Sequence, residues 1–234
     1  MNQNALQLAE RFFMFGGLQD RCAWREFFGM LKILYYDADI VAVDKPAGML
    51  SVPGKYLFDC AAKQLSSIFS EIHIVHRLDQ DTSGLLLFAL HKDAQRAFSH
   101  LFHQGLVEKE YVALVQGKLR SENGQIRLPL RRDMSVSLPP KNIVDFLFGK
   151  HAATRWQVES YDASSDRTRL RLFPKTGRSH QLRVHCLSIG HPIVGDPIYN
   201  PNSLETRMFL HARRLRFTHP STNAILELTS PPAI

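Results

Sequence analysis

At 234 residues the chain is long enough for one large domain or two small ones. Lysine and arginine number 29 against 22 aspartates and glutamates, and the net charge of +7 favours a polyanionic partner, although many basic proteins bind no nucleic acid. Three isolated cysteines argue against a secreted disulfide scaffold. The polar N-terminus excludes a signal peptide, and the apolar runs are too short for a membrane-spanning helix, so we expect a cytoplasmic protein.

Residues 1–31 contain two apolar segments with helical character, separated by two glycines. We interpret them as an N-terminal helical elaboration packed on a main domain that spans residues 32–234. Residues 33–36 and 40–43 have the composition of strands, and the acidic residues between them suit a turn.

Residues 45–55 form a loop rich in proline and glycine, and apolar side chains recur at helical spacing over residues 58–69. A short strand is expected at residues 72–75, before a polar loop. The continuous apolar run at residues 85–90 is typical of a strand that is buried on both faces.

Residues 92–104 have the pattern of an amphipathic helix, and Gly105 is placed to end it. The rest of the chain is rich in strands, predicted at residues 111–115, 155–161, 167–173, 213–218 and 225–228. Since strands and helices do not alternate regularly, the pattern predicts an α+β fold. We expect one catalytic domain built on a mixed, mainly antiparallel sheet with flanking helices.

The strand at residues 167–173 alternates basic and apolar side chains. Arg167, Arg169 and Arg171 would lie on one face, with Leu170 and Leu172 on the other. The basic face suits the phosphates of a nucleic acid, but it equally suits a solvated sheet surface with scattered charge. The segment alone leaves both interpretations open.

A turn and a helix follow this strand. Gly177 permits a tight turn, and Ser179 is a candidate N-cap for a helix that runs towards Gly190. Arg183 should lie at the edge of the inward face, where an acidic partner could hold it. The inward face would be formed by Leu182, Cys186 and Ile189.

A metal site at His180, His185 and Cys186 is disfavoured, because a spacing of five residues does not place two imidazoles on one helix face. The sequence also lacks a glycine-rich phosphate loop and a dinucleotide-binding fingerprint. We therefore expect neither a metal nor a cofactor.

The polar loop before the buried strand reads His-Arg-Leu-Asp-Gln-Asp-Thr-Ser-Gly at residues 76–84. Loops positioned by rigid strands often carry catalytic groups, and Asp79 and Asp81 are candidates. Aspartate, serine and threonine also form structural turns. Composition and spacing do not decide between the two.

The same loop resembles the signature of the RluA family of pseudouridine synthases. Three further segments resemble family motifs in the same order: Lys-Pro-Ala-Gly at residues 45–48, Lys-Glu-Tyr-Val-Ala at residues 109–113, and the segment from Gly177 through Asp196. The resemblance covers residues 33 to about 229. It implies the pseudouridine synthase fold, a cofactor-free reaction on RNA, and a monomer with no obligate protein partner.

The resemblance implies that Asp79 is the catalytic carboxylate, acting either as a nucleophile or as a base at the sugar. It implies that Arg183 lies beside Asp79 and favours its charged form, and that Tyr111 stacks on the uracil and removes the C5 proton. Arg77 would fill the space that the target base leaves in the RNA stack. The implied RNA-binding residues, besides Arg77, are Lys45, Lys109, Arg178, His180 and Gln181.

Within the family, residues 50–54 and 218–220 most resemble the branch that modifies both a large-subunit rRNA hairpin and the anticodon stem-loop of tRNAs. Residues 1–31 are too short for the S4-type RNA-binding domain of many relatives. Two rival classes of protein stay open. One is a non-catalytic RNA-binding protein, and the second is a hydrolase that uses Asp79 and Asp81 as an acid and base pair.

Overall fold

The structure, a computed structural model, describes residues 31–54 and 57–232. The predicted N-terminal elaboration at residues 1–31 lies outside these ranges except for Leu31. No helix in the described ranges combines the length and the apolar character needed to cross a bilayer.

The secondary structure confirms the strand-rich pattern and adds three short strands, β6 to β8, that the sequence did not predict. The strands are β1 Lys32–Tyr36, β2 Ile40–Lys45, β3 His73–Ile74, β4 Ser83–Ala89, β5 Glu108–Gln116, β6 Asn123–Ile126, β7 Leu130–Arg132, β8 Asn142–Val144, β9 Thr154–Asp162, β10 Arg167–Pro174, β11 Leu210–Thr218 and β12 Ile225–Thr229. The helices are α1 Ala61–Leu65, α2 Lys92–Gln104 and α3 Gln181–Ser188.

Ten of the described strands form one sheet in the order β1-β2-β4-β11-β5-β10-β9-β6, with β12 paired to β11 and β3 paired to β4. Strands β4 and β11 are parallel, and the remaining neighbours are antiparallel. Strands β7 and β8 form a separate antiparallel pair. This topology confirms the predicted α+β fold with a mixed, mainly antiparallel sheet.

Strand β4 lies in the interior, as its apolar run predicts. Its residues from Leu85 to Phe88 are fully buried between β2 and β11. Helix α2 packs over this half of the sheet through Ala94 and Phe98, and Gly105 ends the helix in the left-handed conformation, with φ of 71°. Helix α3 covers the other half through Leu182 and Cys186, which pack against Leu170 and Leu172 of β10 in a second core. The site described below lies where the two halves meet.

The helix predicted at residues 58–69 is much shorter than expected, because α1 spans only Ala61–Leu65. The side chain of Cys60 caps its start, and Phe58 is exposed rather than packed. At its end, the Ser66 and Ser67 hydroxyls donate to the carbonyls of Ala62 and Gln64. Such local hydrogen bonds compete with helical geometry, which explains the early end of α1.

Helix α3 begins at Gln181, and Ser179 is not its N-cap. The capping position is taken by His180, which has φ of 53° and makes no side-chain capping bond. The Gln181 side chain folds back instead, so that its Oε1 accepts from Thr176 Oγ1 at 2.7 Å and from the Arg178 amide at 3.0 Å. The prediction that Ser179 caps the helix was wrong, because the side chain of Gln181, the first residue of the helix, forms the hydrogen bonds that close the turn before it.

Candidate active site

The polar loop that carries Asp79 lies between β3 and β4, at the centre of the sheet. Gly84, which follows it, has φ of 103°, and a Cβ atom there would lie 2.3 Å from the carbonyl oxygen of Ala212 in β11. Only glycine allows this approach. The parallel pairing of β4 with β11 at this point therefore fixes where the loop leaves the sheet.

A second loop, residues 45–51, fixes the backbone on both sides of Asp79. Ser51 Oγ donates to the Leu78 carbonyl at 2.8 Å and accepts from the Leu78 amide at 3.1 Å. The Gly48 amide donates to the Gln80 carbonyl at 2.9 Å. The Lys45 ammonium donates to the same carbonyl at 2.9 Å. Asp79 is thus held in place by hydrogen bonds to its two neighbours.

Lys45 is fully buried, and its ammonium also donates to the carbonyls of Pro46 and Met49. Burial lowers the pKa of Lys45 to about 8, while the charges of Asp81 and Asp79 oppose this shift. All three donors of the ammonium are engaged within the protein. The structure therefore corrects the assignment of Lys45 to RNA phosphates, since it positions the Asp79 loop instead.

Replacing Lys45 tests this role. Lys45→Met removes the donor of the Pro46 and Met49 carbonyls and one of the two donors of the Gln80 carbonyl, so we expect the free energy of unfolding to fall by roughly 2–3 kcal/mol or more. Turnover should fall further than RNA affinity, because the loop shifts while no phosphate contact is removed. Urea denaturation and filter binding measure the two effects, with exposed Lys92→Met as the control. Loss of RNA affinity alone, with normal stability, would restore the phosphate role.

His76, at the start of the loop, is anchored in the core. Its Nε2 accepts from the Leu87 amide at 3.0 Å, and its ring stacks on Phe102 at a centroid distance of 4.4 Å. Burial lowers the pKa of His76 to about 3, with a smaller contribution from the charge of Lys109. The imidazole is therefore neutral in the folded protein.

This burial makes stability depend on pH. Because the folded-state pKa lies below the unfolded value of about 6.5, the unfolded state binds the proton first, and stability falls as pH drops from about 6.5 towards 3. Between pH 8 and pH 5 the contribution of His76 amounts to up to about 2 kcal/mol. Urea denaturation at several pH values should show a smaller decline for His76→Gln, whose amide oxygen can still accept from Leu87. An equal decline in both proteins would contradict the assignment.

Asp79 lies in an open cleft of about 520 Å³, between the loop, β5 and the start of α3. Among the described residues that line this cleft, Asp79 is the one acid. The polar and charged residues around it are Arg77, Thr82, Lys109, Tyr111, Thr176, Arg178, His180, Gln181 and Arg183. The structure thus brings together the three predicted catalytic residues.

Arg183 lies between Asp79 and a second acid, the buried Asp196, which was not among the predicted site residues. Its Nη1 lies 3.7 Å from Asp79 Oδ2. Its Nε and Nη2 bond to the two oxygens of Asp196 at 2.7 and 2.6 Å. Burial alone would lower the pKa of Arg183, but the bonds to Asp196 and the charge of Asp79 raise it overall. Asp79 therefore lies near a permanent positive charge, but its carboxylate oxygens form no short hydrogen bond with Arg183.

Asp196 is fully buried and also accepts from the amides of Ile198 and Tyr199 at 2.9 and 3.0 Å. Gly195 before it has φ of 74°, and a Cβ atom there would lie 1.7 Å from the Arg207 carbonyl oxygen. The Arg183 guanidinium also lies over the Tyr199 ring, 5.1 Å from its centroid, and makes a cation–π contact with it. This set of contacts fixes the position of Arg183.

Tyr111 extends from β5 into the cleft. Burial raises the pKa of its phenol, and the charge of Asp79 adds to the shift. Tyr111 is therefore a neutral phenol at physiological pH. It offers an aromatic face and a hydroxyl beside Asp79.

Of the predicted RNA-binding residues, Arg77 and Arg178 are exposed at the cleft, and Lys109 is half-buried there. Burial lowers the pKa of Lys109, and the charge of Lys175 contributes. His180 lines the cleft and its Nδ1 lies 2.9 Å from the Tyr199 hydroxyl.

Gln181 is buried, and its side-chain oxygen accepts from Thr176 and the Arg178 amide. Its side-chain nitrogen donates to Ala153 and Thr154. The assignment of Gln181 to RNA is therefore corrected, because its polar atoms are already bonded within the protein.

The arginines of β10 lie on the sheet face opposite to Tyr111 and Lys109, as the alternation of side chains in β5 and β10 requires. Arg167, Arg169 and Arg171 form ion pairs with Glu205, Glu159 and Glu110 at 2.7, 2.7 and 3.0 Å. The face is thus largely neutralised and directed away from the cleft. Of the two interpretations, the structure favours the solvated sheet surface.

The geometry of the described residues supports neither a hydrolase that pairs Asp79 with Asp81 nor a metal site at His185. Asp81 lines a different cleft from Asp79, so the two carboxylates do not converge as an acid and base pair. The ring nitrogens of His185 lie 2.9 Å from Thr154 Oγ1 and 3.2 Å from the Leu128 carbonyl oxygen, which leaves neither for a metal.

Comparisons with known proteins agree with this geometry. A model of the RNA pseudouridylate synthase family matches residues 39–188. The chain is 41% identical to the dual-specificity RNA pseudouridine synthase RluA of Pasteurella multocida, over 87% of this chain and 94% of that protein. It is 39% identical to the protein of the same name from Escherichia coli strain K12, over 86% and 93% of the two chains.

Among solved structures, human RNA pseudouridylate synthase domain containing 1 superposes with a TM-score of 0.75 and 30% identity, over 88% of this chain and 85% of that one. The family model, the relatives and the fold therefore confirm the resemblance that the four motifs indicated. The chain belongs to the family of RNA pseudouridine synthases.

Proposed function

We propose that this protein isomerises specific uridines to pseudouridine in structured RNA, with Asp79 as the catalytic carboxylate. The observation that carries the proposal is the position of Asp79 in the cleft, 3.7 Å from the buried Arg183 and next to Tyr111. The reaction breaks the bond from C1′ to N1, turns the uracil, and forms a bond from C1′ to C5. The C5 proton is lost and N1 gains a proton, so no oxidant or reductant is consumed.

Asp79 is suited to act at the sugar because hydrogen bonds fix the backbone of both neighbouring residues, and its carboxylate lies near Arg183 without being covered by it. With a side chain 23% exposed, it remains accessible from the cleft. Such a carboxylate can attack C1′ as a nucleophile or remove a proton from the ribose as a base. Both routes need the carboxylate in its ionised form.

Tyr111 is proposed to stack on the uracil and to accept the C5 proton. Tyr111 is a neutral phenol and therefore a weak base, so it can act only after the uracil is joined to C1′ through C5, where loss of the C5 proton restores the C5–C6 double bond and the phenol passes the proton on to water. The target base must leave its stack at a cost of a few kcal/mol, and exposed Arg77 at the cleft is proposed to fill the vacated space. Lys109 and Arg178 would bind flanking phosphates.

We further propose a large-subunit rRNA hairpin and the anticodon stem-loop of tRNAs as substrates, because bases in loops are flipped more easily than bases in duplexes. The dual-specificity relatives support two RNA substrates. Residues 32–234 would form the catalytic domain, acting as a cytoplasmic monomer without a cofactor.

Carbodiimide mapping of pseudouridine in rRNA and tRNA, from cells with and without this gene, tests the proposed function. We expect specific sites to disappear on deletion and to return when the wild-type gene is restored, but not when the gene carries Asp79→Asn. Identical pseudouridine maps in both strains, combined with inactivity of the purified protein on the same RNAs, would refute it.

A further inference from the structure

A turn beside the cleft displays three consecutive large apolar side chains to solvent. It runs from Asp145 to Gly149 and follows β8. The exposed fractions of Phe146, Leu147 and Phe148 are 76%, 86% and 76%. Clusters of this kind mark interaction surfaces more often than isolated exposed residues do.

The backbone of the turn is fixed by hydrogen bonds and by a close approach at Gly149. Asp145 Oδ1 accepts from the amides of Leu147 and Phe148, each at 2.8 Å, and its other carboxylate oxygen bonds to Arg131. A Cβ atom on Gly149 would lie 2.2 Å from the Asp145 carbonyl oxygen, so the chain closes tightly at this position. The backbone that carries the two exposed rings is therefore preorganised for a contact outside the domain.

The turn lies close to the cleft. Lys150, next to it, exchanges backbone hydrogen bonds with Leu130, and the carbonyl of His151 accepts from Arg178 Nε at 3.1 Å. Arg178 lines the cleft that contains Asp79. His151 follows Phe148 by three positions, so their Cα atoms lie at most about 11 Å apart. The turn therefore lies near the rim of the cleft, within reach of nucleotides that flank a target uridine at Asp79.

The charge around the turn fits the same partner. Arg132, Lys150 and Arg178 are exposed, whereas the acid in the turn, Asp145, is bonded to Arg131. Aromatic rings flanked by cations suit single-stranded nucleic acid, because rings stack on bases while cations contact phosphates. We propose that Phe146 and Phe148 stack on unpaired bases of the substrate RNA, outside the target uridine, an inference that rests on the proposed function.

The test replaces the rings while keeping the apolar surface. The double variant Phe146→Leu/Phe148→Leu is compared with wild type on a labelled RNA hairpin with an unpaired loop and on an RNA duplex of equal length. We expect affinity for the hairpin to fall by about 10- to 100-fold, and affinity for the duplex to change less than about twofold, because paired bases offer no free face. The turnover number at saturating RNA should stay near that of wild type.

Ile225→Ala is the matched control, since Ile225 is an exposed apolar residue paired with Thr218, at the opposite end of β11 from the cleft residue Leu210. Phe146→Tyr/Phe148→Tyr should restore hairpin affinity. Wild-type affinity in the leucine variant would overturn the proposal, as would an equal loss on duplex RNA.

A shift in gel-filtration mass that accompanies Phe146→Ser/Phe148→Ser, with hairpin affinity intact, would assign the turn to a contact between copies and would also overturn the proposal. Failure of the proposed function can be told apart from failure of the stacking proposal. If the proposed function is wrong, the wild-type protein forms no pseudouridine, irrespective of the effect of the turn variants on RNA affinity.

Discussion

Asp79→Asn should abolish pseudouridine formation, with a fall in turnover on the order of 10³-fold or more, while RNA affinity stays within about threefold of wild type. The amide has nearly the shape of the carboxylate but can neither attack C1′ nor accept a proton from the ribose. The Asp79 backbone should keep its place, because the fixing contacts come from Lys45, Gly48 and Ser51 to its neighbours. Single-turnover kinetics and filter binding measure the two quantities.

Asp81→Asn is the matched control for this variant. Asp81 lies two residues further along the same loop but lines another cleft, so its amide should retain most of the activity. Normal turnover by Asp79→Asn would refute the assignment. Equal losses in both variants would point to damage of the loop rather than to loss of a catalytic group.

Asp196→Asn should produce the largest loss of stability, about 3 kcal/mol or more in the free energy of unfolding. The substitution leaves the guanidinium of Arg183, which is 2% exposed, with only the Asp79 oxygen at 3.7 Å as an anionic partner. A buried charge without its partner is strongly destabilising, even when the replacement has the same shape. Urea denaturation at constant pH measures this loss, and turnover should fall as well because Arg183 is no longer fixed.

Asp93→Asn provides the comparison for Asp196→Asn. Asp93 pairs with Arg96 on α2, but their side chains are 82% and 77% exposed, so its loss should change stability very little. If Asp196→Asn were as stable as Asp93→Asn, the buried ion pair would not be the support that we infer for Arg183.

Much of the fold follows from local patterns in the sequence. The continuous apolar run of β4, the alternation of β10 and the amphipathic pattern ended by Gly105 each correspond to an element in the structure. The errors at the ends of α1 and α3 arose where side chains form hydrogen bonds with the nearby backbone. Ser66 ends α1 early in this way. The side chain of Gln181 replaces the expected cap of α3.

The motifs predicted Asp79, Tyr111 and Arg183 as site residues, and all three line one cleft, although their catalytic roles stay predictions. The contacts that hold them in place were not predictable. Spacing could not show that Arg183 binds Asp196, 13 residues further along the chain, more closely than it approaches Asp79. Nor could charge alone show that Lys45 is buried, because a basic residue in a loop is usually exposed. These contacts depend on tertiary structure.

The role of Asp79 is tested most directly by following the C5 hydrogen of uridine in an RNA that carries tritium at that position. Purified wild-type protein should release tritium into water in equal amount to the pseudouridine formed, without an added cofactor, and Asp79→Asn should release none. Tritium release by Asp79→Asn at the wild-type rate, or pseudouridine formation by wild type only when a cofactor is added, would contradict the proposed mechanism.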